Sequence, residues 1–277
     1  MSVYISFITT IKICKNYEWL ENSIILYSRH IDYYCKKYNI SYEILICEQI
    51  NEKNIFLISD KYNFKDLNIT IFKLNQEYLN PHDFNLIESY GKNECLKHAK
   101  GIYTCMTSGD VFLSEIFFIY IKEYLNREIF YRFATYEIPR HNFEINVNIE
   151  ELMNYCERCD DKRLANPGCF DDSVTVIKLG QKSGDIMLLD TESFKKIKGW
   201  PENDCFVHMD LATCIVATNN YPYVIPENNI CSYTFTQEYR NSKTVNRYVR
   251  LNDGSIFTLE DYQYIVALSY KNKMTSN

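Results

Sequence analysis

Short apolar runs alternate with helical stripes through the first hundred residues. Val3-Tyr-Ile-Ser-Phe-Ile8 is a continuous apolar run ending in Thr9-Thr10, the pattern of a strand buried on both faces. From Asn16 to Tyr38, Trp19, Leu20, Ile24, Tyr27, Ile31 and Tyr34 recur at helical spacing. Tyr42-Glu-Ile-Leu-Ile-Cys47 predicts a second strand, closed by Glu48-Gln49. A short helix over Asn51–Tyr62, a third strand over Leu67–Leu74 and a helix over Pro81–Lys100 follow. Pro81 suits the first turn of that helix and Gly101 its stop. Ile102–Met106 predicts a fourth strand. The alternation predicts an α/β fold, with a mostly parallel sheet and helices on both of its faces.

The pattern loosens between Ile129 and Lys182. It holds a strand-like run at Ile129–Ile138, a helix at Asn148–Arg158 and a loop at Ala165–Asp172. Gly184–Asp190 reads as a strand and Thr191–Ile197 as a short helix. Phe206–Thr218 reads as a helix with His208 and Asp210 in its first turn. Tyr221–Ile225 reads as an edge strand, since Pro222 lacks a ladder donor. A basic polar segment, Gln237–Arg250, precedes a last helix near Leu259–Lys271. With no internal repeat or low-complexity linker, the expectation is one domain over 1–277 with an inserted, less regular region.

The 46% hydrophobic content is enough for a sizeable core. The excess of Tyr and Phe, beside many Asn, Ile and Lys, has the look of an AT-rich coding bias. Part of it also suits a sugar- or base-binding cleft, because Tyr joins a stacking face to a polar tip. A net charge of −6 argues against a nucleic-acid partner, which calls for a basic face. It leaves room for an anionic small ligand held by a metal and backbone N–H groups. Val3–Thr10 lacks the flank and cleavage site of a secretory signal, and no run reaches the length of a membrane span. With 11 cysteines, an odd number, the expectation is free thiols in a reducing, cytoplasmic setting, soluble or peripherally membrane-associated. Cys156 and Cys159 have zinc-ligand spacing but lack a second pair.

The candidate chemistry lies where the fourth strand stops, at Ser108-Gly109-Asp110. Ligands of open α/β sheets bind at the carboxyl ends of strands. A carboxylate there is placed to hold a divalent cation against phosphates, since hard cations take oxygen ligands. The plainer alternative is a strand-to-helix turn with Asp110 solvated or capping.

Four segments in this order resemble the GT-A fold nucleotide-sugar glycosyltransferases, nearest to the family-2-like group. They are Val3–Thr10, Glu43–Gln49, Asn93–Asp110, and Gly184–Glu202 followed by His208-Met-Asp-Leu211. Together they span roughly Val3 to Val216. The resemblance implies transfer of a sugar from a UDP- or GDP-sugar to an acceptor hydroxyl, assisted by Mn²⁺ or Mg²⁺ and inverting. The acceptor would be a glycan, a lipid-linked sugar or a protein, and a homodimer is compatible with it. Residues 1–128 would form the nucleotide-binding half, 129–235 the acceptor side and 236–277 a lid and helix.

In this reading Asp110 holds the metal and Ser108 orients a metal-bound water. Thr9 or Thr10 touches the nucleotide, Glu48 meets the base or ribose, and Asn93 reaches the diphosphate or ribose. Gly109, Gly184 and Asp185 line the donor site, while Trp200 and Glu202 lie on the acceptor side. Asp210 or His208 serves as the base. The chain departs from the family pattern twice. Ser108 stands where the family has its first metal-site acid, and Val207-His208 stands where an acidic pair is usual. A catalytically silent nucleotide-sugar-binding protein is therefore the first alternative. A sugar nucleotidyltransferase is a weaker one, because the loop after the first strand has no glycine.

Overall fold

The computed structural model describes residues 2–13, 18–50, 54–75, 88–164, 186–200, 209–235, 248–250 and 256–258. The first half runs β1 (Ile5–Ile11), α1 (Leu20–Lys37), β2 (Tyr42–Ile50), α2 (Ile58–Lys61), β3 (Ile69–Asn75), α3 (Glu88–His98) and β4 (Tyr103–Met106). Then come β5 (Val111–Leu113), α4 (Glu115–Glu123), β6 (Phe130–Arg132), β7 (Ala134–Ile138), α5 (Ile149–Arg158) and β8 (Arg163–Leu164). The rest comprises β9 (Met187–Asp190), α6 (Thr191–Lys196), α7 (Met209–Asn220), β10 (Tyr223–Val224), β11 (Cys231–Phe235), β12 (Tyr248–Arg250) and β13 (Ile256–Thr258).

The central sheet has seven strands in the order β10-β6-β9-β4-β1-β2-β3. β1 pairs in parallel with β2 and with β4, and β2 in parallel with β3. β9 runs antiparallel between β4 and β6, so the sheet is mostly parallel. Strand alternation sorts its side chains onto two cores. Phe7, Ile44 and Cys105 face α1, α4 and α5. Ile8, Leu45 and Met106 face α3, α6 and α7.

A second sheet, β5-β11-β7-β8, begins directly after the turn at Asp110. The run at 129–138, expected as one strand, divides between the two sheets. β6 joins the central sheet and β7 the second, with Phe133 between them and packed edge-on against Phe117. The helix expected over 51–62 is confined to α2, and α7 extends two residues past the expected Thr218. α3 ends at His98, before Gly101, and the structure gives Gly101 another reason than a helix stop. It does not take a left-handed φ; a Cβ there would lie 2.5 Å from the backbone nitrogen of Ser6 on β1. Of the basic segment, only β12 lies within the described residues, and the expected last helix lies outside them. No helix among the described residues is long and apolar enough to cross a membrane.

His30 is sealed inside the α1-side core. Its Nε2 lies 2.9 Å from the Leu113 carbonyl, and Tyr34, Phe112 and Phe118 meet the ring edge-on. Burial, opposed in part by that carbonyl, lowers the imidazole from 6.5 to about 3. Between these values the unfolded chain carries the extra proton. His30 therefore stabilises the fold fully above the unfolded value, and that contribution fades as pH falls toward the folded one. The slope is up to about 1.4 kcal/mol per pH unit. Urea midpoints are expected to drop across this window, and His30→Leu to flatten the drop. Equal slopes in the two proteins would remove His30 from the acid response.

Candidate functional site

The strand order sets the location. After β1 the chain steps outward through β2 and β3, then returns to form β4 on the other edge of β1. The crevice between the carboxyl ends of β1 and β4 is thus a topological switch point, where open α/β sheets bind ligands. The Thr107–Asp110 segment fills one side of it. Thr107 N–H donates to the Ile8 carbonyl at 2.8 Å, and its hydroxyl shares a 2.5 Å hydrogen bond with the Tyr27 hydroxyl of α1. Val111 N–H closes the turn onto the Ser108 carbonyl at 3.3 Å. Gly109 lies close beneath α1, since a Cβ there would lie 3.0 Å from Ile24 Cδ1. Asp110, 7% exposed, lies where β5 begins, with the Thr234 hydroxyl of β11 at 3.5 Å from Oδ2.

Alternation separates the two threonines that the sequence groups together. Thr9 faces α1 and lies beside the turn, with Oγ1 3.6 Å from where a Gly109 Cβ would be. That hydroxyl is fully buried and has no hydrogen-bond partner among the described residues. Thr10 faces α3, and a Cβ on Gly91 would lie 2.5 Å from Thr10 Cγ2. Gly91 is what lets α3 approach the carboxyl ends of β1 and β2 this closely.

Other expected residues have structural work. Glu48, fully buried, caps α2: its carboxylate accepts from the backbone N–H of Ile58 and Ser59 and from the Ser59 hydroxyl. Asn93 clamps the turn before Trp200. Its amide donates to the Trp200 carbonyl at 2.6 Å and accepts from the Trp200 N–H at 2.8 Å. That turn is left-handed at Lys198 and Gly199. A Cβ on Gly199 would lie 2.3 Å from Asn93 Oδ1. Trp200 is only 4% exposed, and the Lys92 ammonium stands 3.9 Å over its ring. The ring is therefore packed in the core, with no open face for a sugar to stack on. Asp210 is the second residue of α7; its side chain lies outside the described part of the structure. Gly184, Asp185, Glu202 and His208 lie outside the described residues.

Lys92 and Arg132 are buried cations that the sequence reading does not single out. Lys92, 1% exposed, pairs with Glu88 at 2.8 Å on α3. Arg132, 4% exposed at the carboxyl end of β6, donates to the Ile186 carbonyl at 3.1 Å. A signal for Lys92 exists: it falls on the stripe with Ser89, Leu96 and Ala99, where a helix buries its face. Arg132 lies within the aromatic run Phe130-Tyr-Arg-Phe133, where a strand interior would otherwise be apolar. Among the described residues no three His, Cys, Asp or Glu side chains gather as a metal cluster, and Cys156 and Cys159 are free thiols. The oxygen chemistry of Asp110, with hydroxyls beside it, fits one protein anchor of a hard cation whose remaining ligands come from phosphate and water.

No family model matches the sequence, and no curated protein sequence matches it. Solved structures do match in fold. The chain overlaps S. aureus TarS 1–349 in complex with UDP-GlcNAc at a TM-score of 0.53 and 12% identity, covering 99% of this chain and 73% of that one. The same TarS fragment in complex with UDP overlaps at 0.53 and 12% identity, covering 85% of this chain and 61% of that one. The chain thus spans about three fifths of the TarS fragment in that overlap. The fold is the GT-A fold of nucleotide-sugar glycosyltransferases.

Proposed function

We propose that the chain is a glycosyltransferase that moves a sugar from a UDP- or GDP-sugar to an acceptor hydroxyl, with metal assistance and inversion. The observation that carries the reading is the β1–β4 crevice. A buried carboxylate, Asp110, and an unpartnered buried hydroxyl, Thr9, both stand at the switch point of a GT-A sheet. A buried polar group without a partner is costly, and a ligand oxygen or N–H there would satisfy it.

Thr9 would hold the nucleotide at the crevice, and Asp110 would anchor a Mn²⁺ or Mg²⁺ ion with Ser108 turned toward its water. When bound, such an ion neutralises the charge that builds on the leaving diphosphate. The acceptor hydroxyl loses a proton as it attacks, which requires a base within hydrogen-bond reach. Asp210 is assigned that role, with His208 its competitor. Residues 1–128 would form the nucleotide half and 129–235 the acceptor side of one cytoplasmic, soluble or peripheral enzyme. Gly184 and Asp185 would line the donor sugar, with Glu202 on the acceptor side.

The test is turnover. With UDP- and GDP-sugars and Mn²⁺, the protein is expected to release UDP or GDP, slowly to water and faster with an acceptor. Binding of these donors with no release at all would leave a silent nucleotide-sugar-binding protein and overturn the enzyme reading.

A further inference from the structure

A second polar centre lies on the opposite face of the sheet from Thr9, at the N-terminal half of α3. We propose that Ser89, Lys92 and the indole N–H of Trp200 form a phosphoryl-binding pocket. It stands apart from the Asp110 turn and does not depend on the role given to that turn.

Two observations converge. Ser89 Oγ and Trp200 Nε1 are buried, and neither has a hydrogen-bond partner among the described residues. Trp200 Nε1 can only donate, so whatever completes it must present an acceptor. Lys92 supplies positive charge beside the Trp200 ring. It shares a helix face with Ser89, one turn away, and stands over the Trp200 ring at 3.9 Å.

The chemistry of the group that fits is narrow. Two N–H donors, one of them cationic, and a hydroxyl that can also donate call for an oxyanion with several acceptor oxygens. A phosphoryl group meets all of them at once. In the present structure the ammonium is paired with Glu88, whose side chain is 37% exposed. Glu88 therefore acts as an exchangeable counter-ion, able to swing toward solvent when phosphate oxygens take its place. The phosphoryl group could belong to the nucleotide donor or to a phosphorylated second substrate.

Calorimetric titration of the full chain with inorganic phosphate tests this. Wild type is expected to bind phosphate saturably. Trp200→Phe keeps an aromatic ring under Lys92 but removes the N–H, and is expected to weaken binding about tenfold, as for one hydrogen bond to a charged group. Lys92→Met is expected to weaken it further. Ser89→Ala, a smaller change, gives the same readout if either of those variants fails to fold. UDP titrations with and without saturating phosphate separate the sources. Competition assigns the pocket to the donor's phosphate, and simultaneous binding assigns it to a second substrate. No saturable phosphate binding by wild type, or wild-type affinity in the folded variants, would overturn the proposal. Asp110→Ala should leave phosphate binding at this pocket intact, so its failure is distinguishable from failure of the sugar-transfer reading.

Discussion

Asn93→Ala is expected to lower stability by about 3 kcal/mol, because it orphans both the N–H and the carbonyl of Trp200 in a buried site. In a chain of this size that corresponds to a melting temperature lower by roughly 6–10 °C. The clamp joins α3 to the turn at Lys198–Gly199, a backbone that is left-handed at two successive residues. Such a turn persists only when its surroundings determine it. Differential scanning calorimetry of the unliganded protein reads the effect. A direct donor contact at Asn93 would produce a different result: an unchanged melting temperature with weaker UDP binding. That result would contradict the clamp.

Asn93 also shows where sequence reasoning stops. Strands buried on both faces leave continuous apolar runs, so β1, β2 and β4 are legible, and α1 is legible from its stripe. The antiparallel insertion of β9 between β4 and β6 is not. Strand direction is set by which neighbours meet across the sheet, and no local pattern records it. The second sheet is hidden for a related reason: β5 has three residues and β8 two, too short for alternation to register. The run at Ile129–Ile138 is legible as extended chain, but its division at Phe133 is a tertiary event.

The site is legible in part. A carboxylate after an abrupt strand end marks Asp110, which lies in the turn whose Gly109 comes near Thr9. Glu48 and Asn93 have equally suggestive positions in the sequence. Their side chains are nonetheless engaged by backbone: Glu48 by α2, ten residues on, and Asn93 by the Trp200 turn, remote in sequence. Lys92 and Ser89 are hard to read from sequence, because polar residues on a helix read as solvated unless their stripe is traced. His208, Glu202, Gly184 and Asp185 carry family resemblance alone.

Asp110→Ala is the second large effect. If Asp110 anchors the cation that meets the diphosphate, removing it deletes the strongest electrostatic contact in the crevice. Sugar transfer is expected to fall by about 10²–10³-fold, the scale seen when one charge-stabilising group is lost from a transition state. The Thr9 hydroxyl and the nucleotide contacts remain, so UDP should still bind in the absence of metal, with near wild-type affinity. The direct measurement is a calorimetric titration of UDP into wild type and Asp110→Ala, each with and without Mn²⁺. The account predicts that Mn²⁺ tightens UDP binding in wild type and has no effect in the variant; equal Mn²⁺-linked tightening in both, or no UDP binding by wild type, would contradict it.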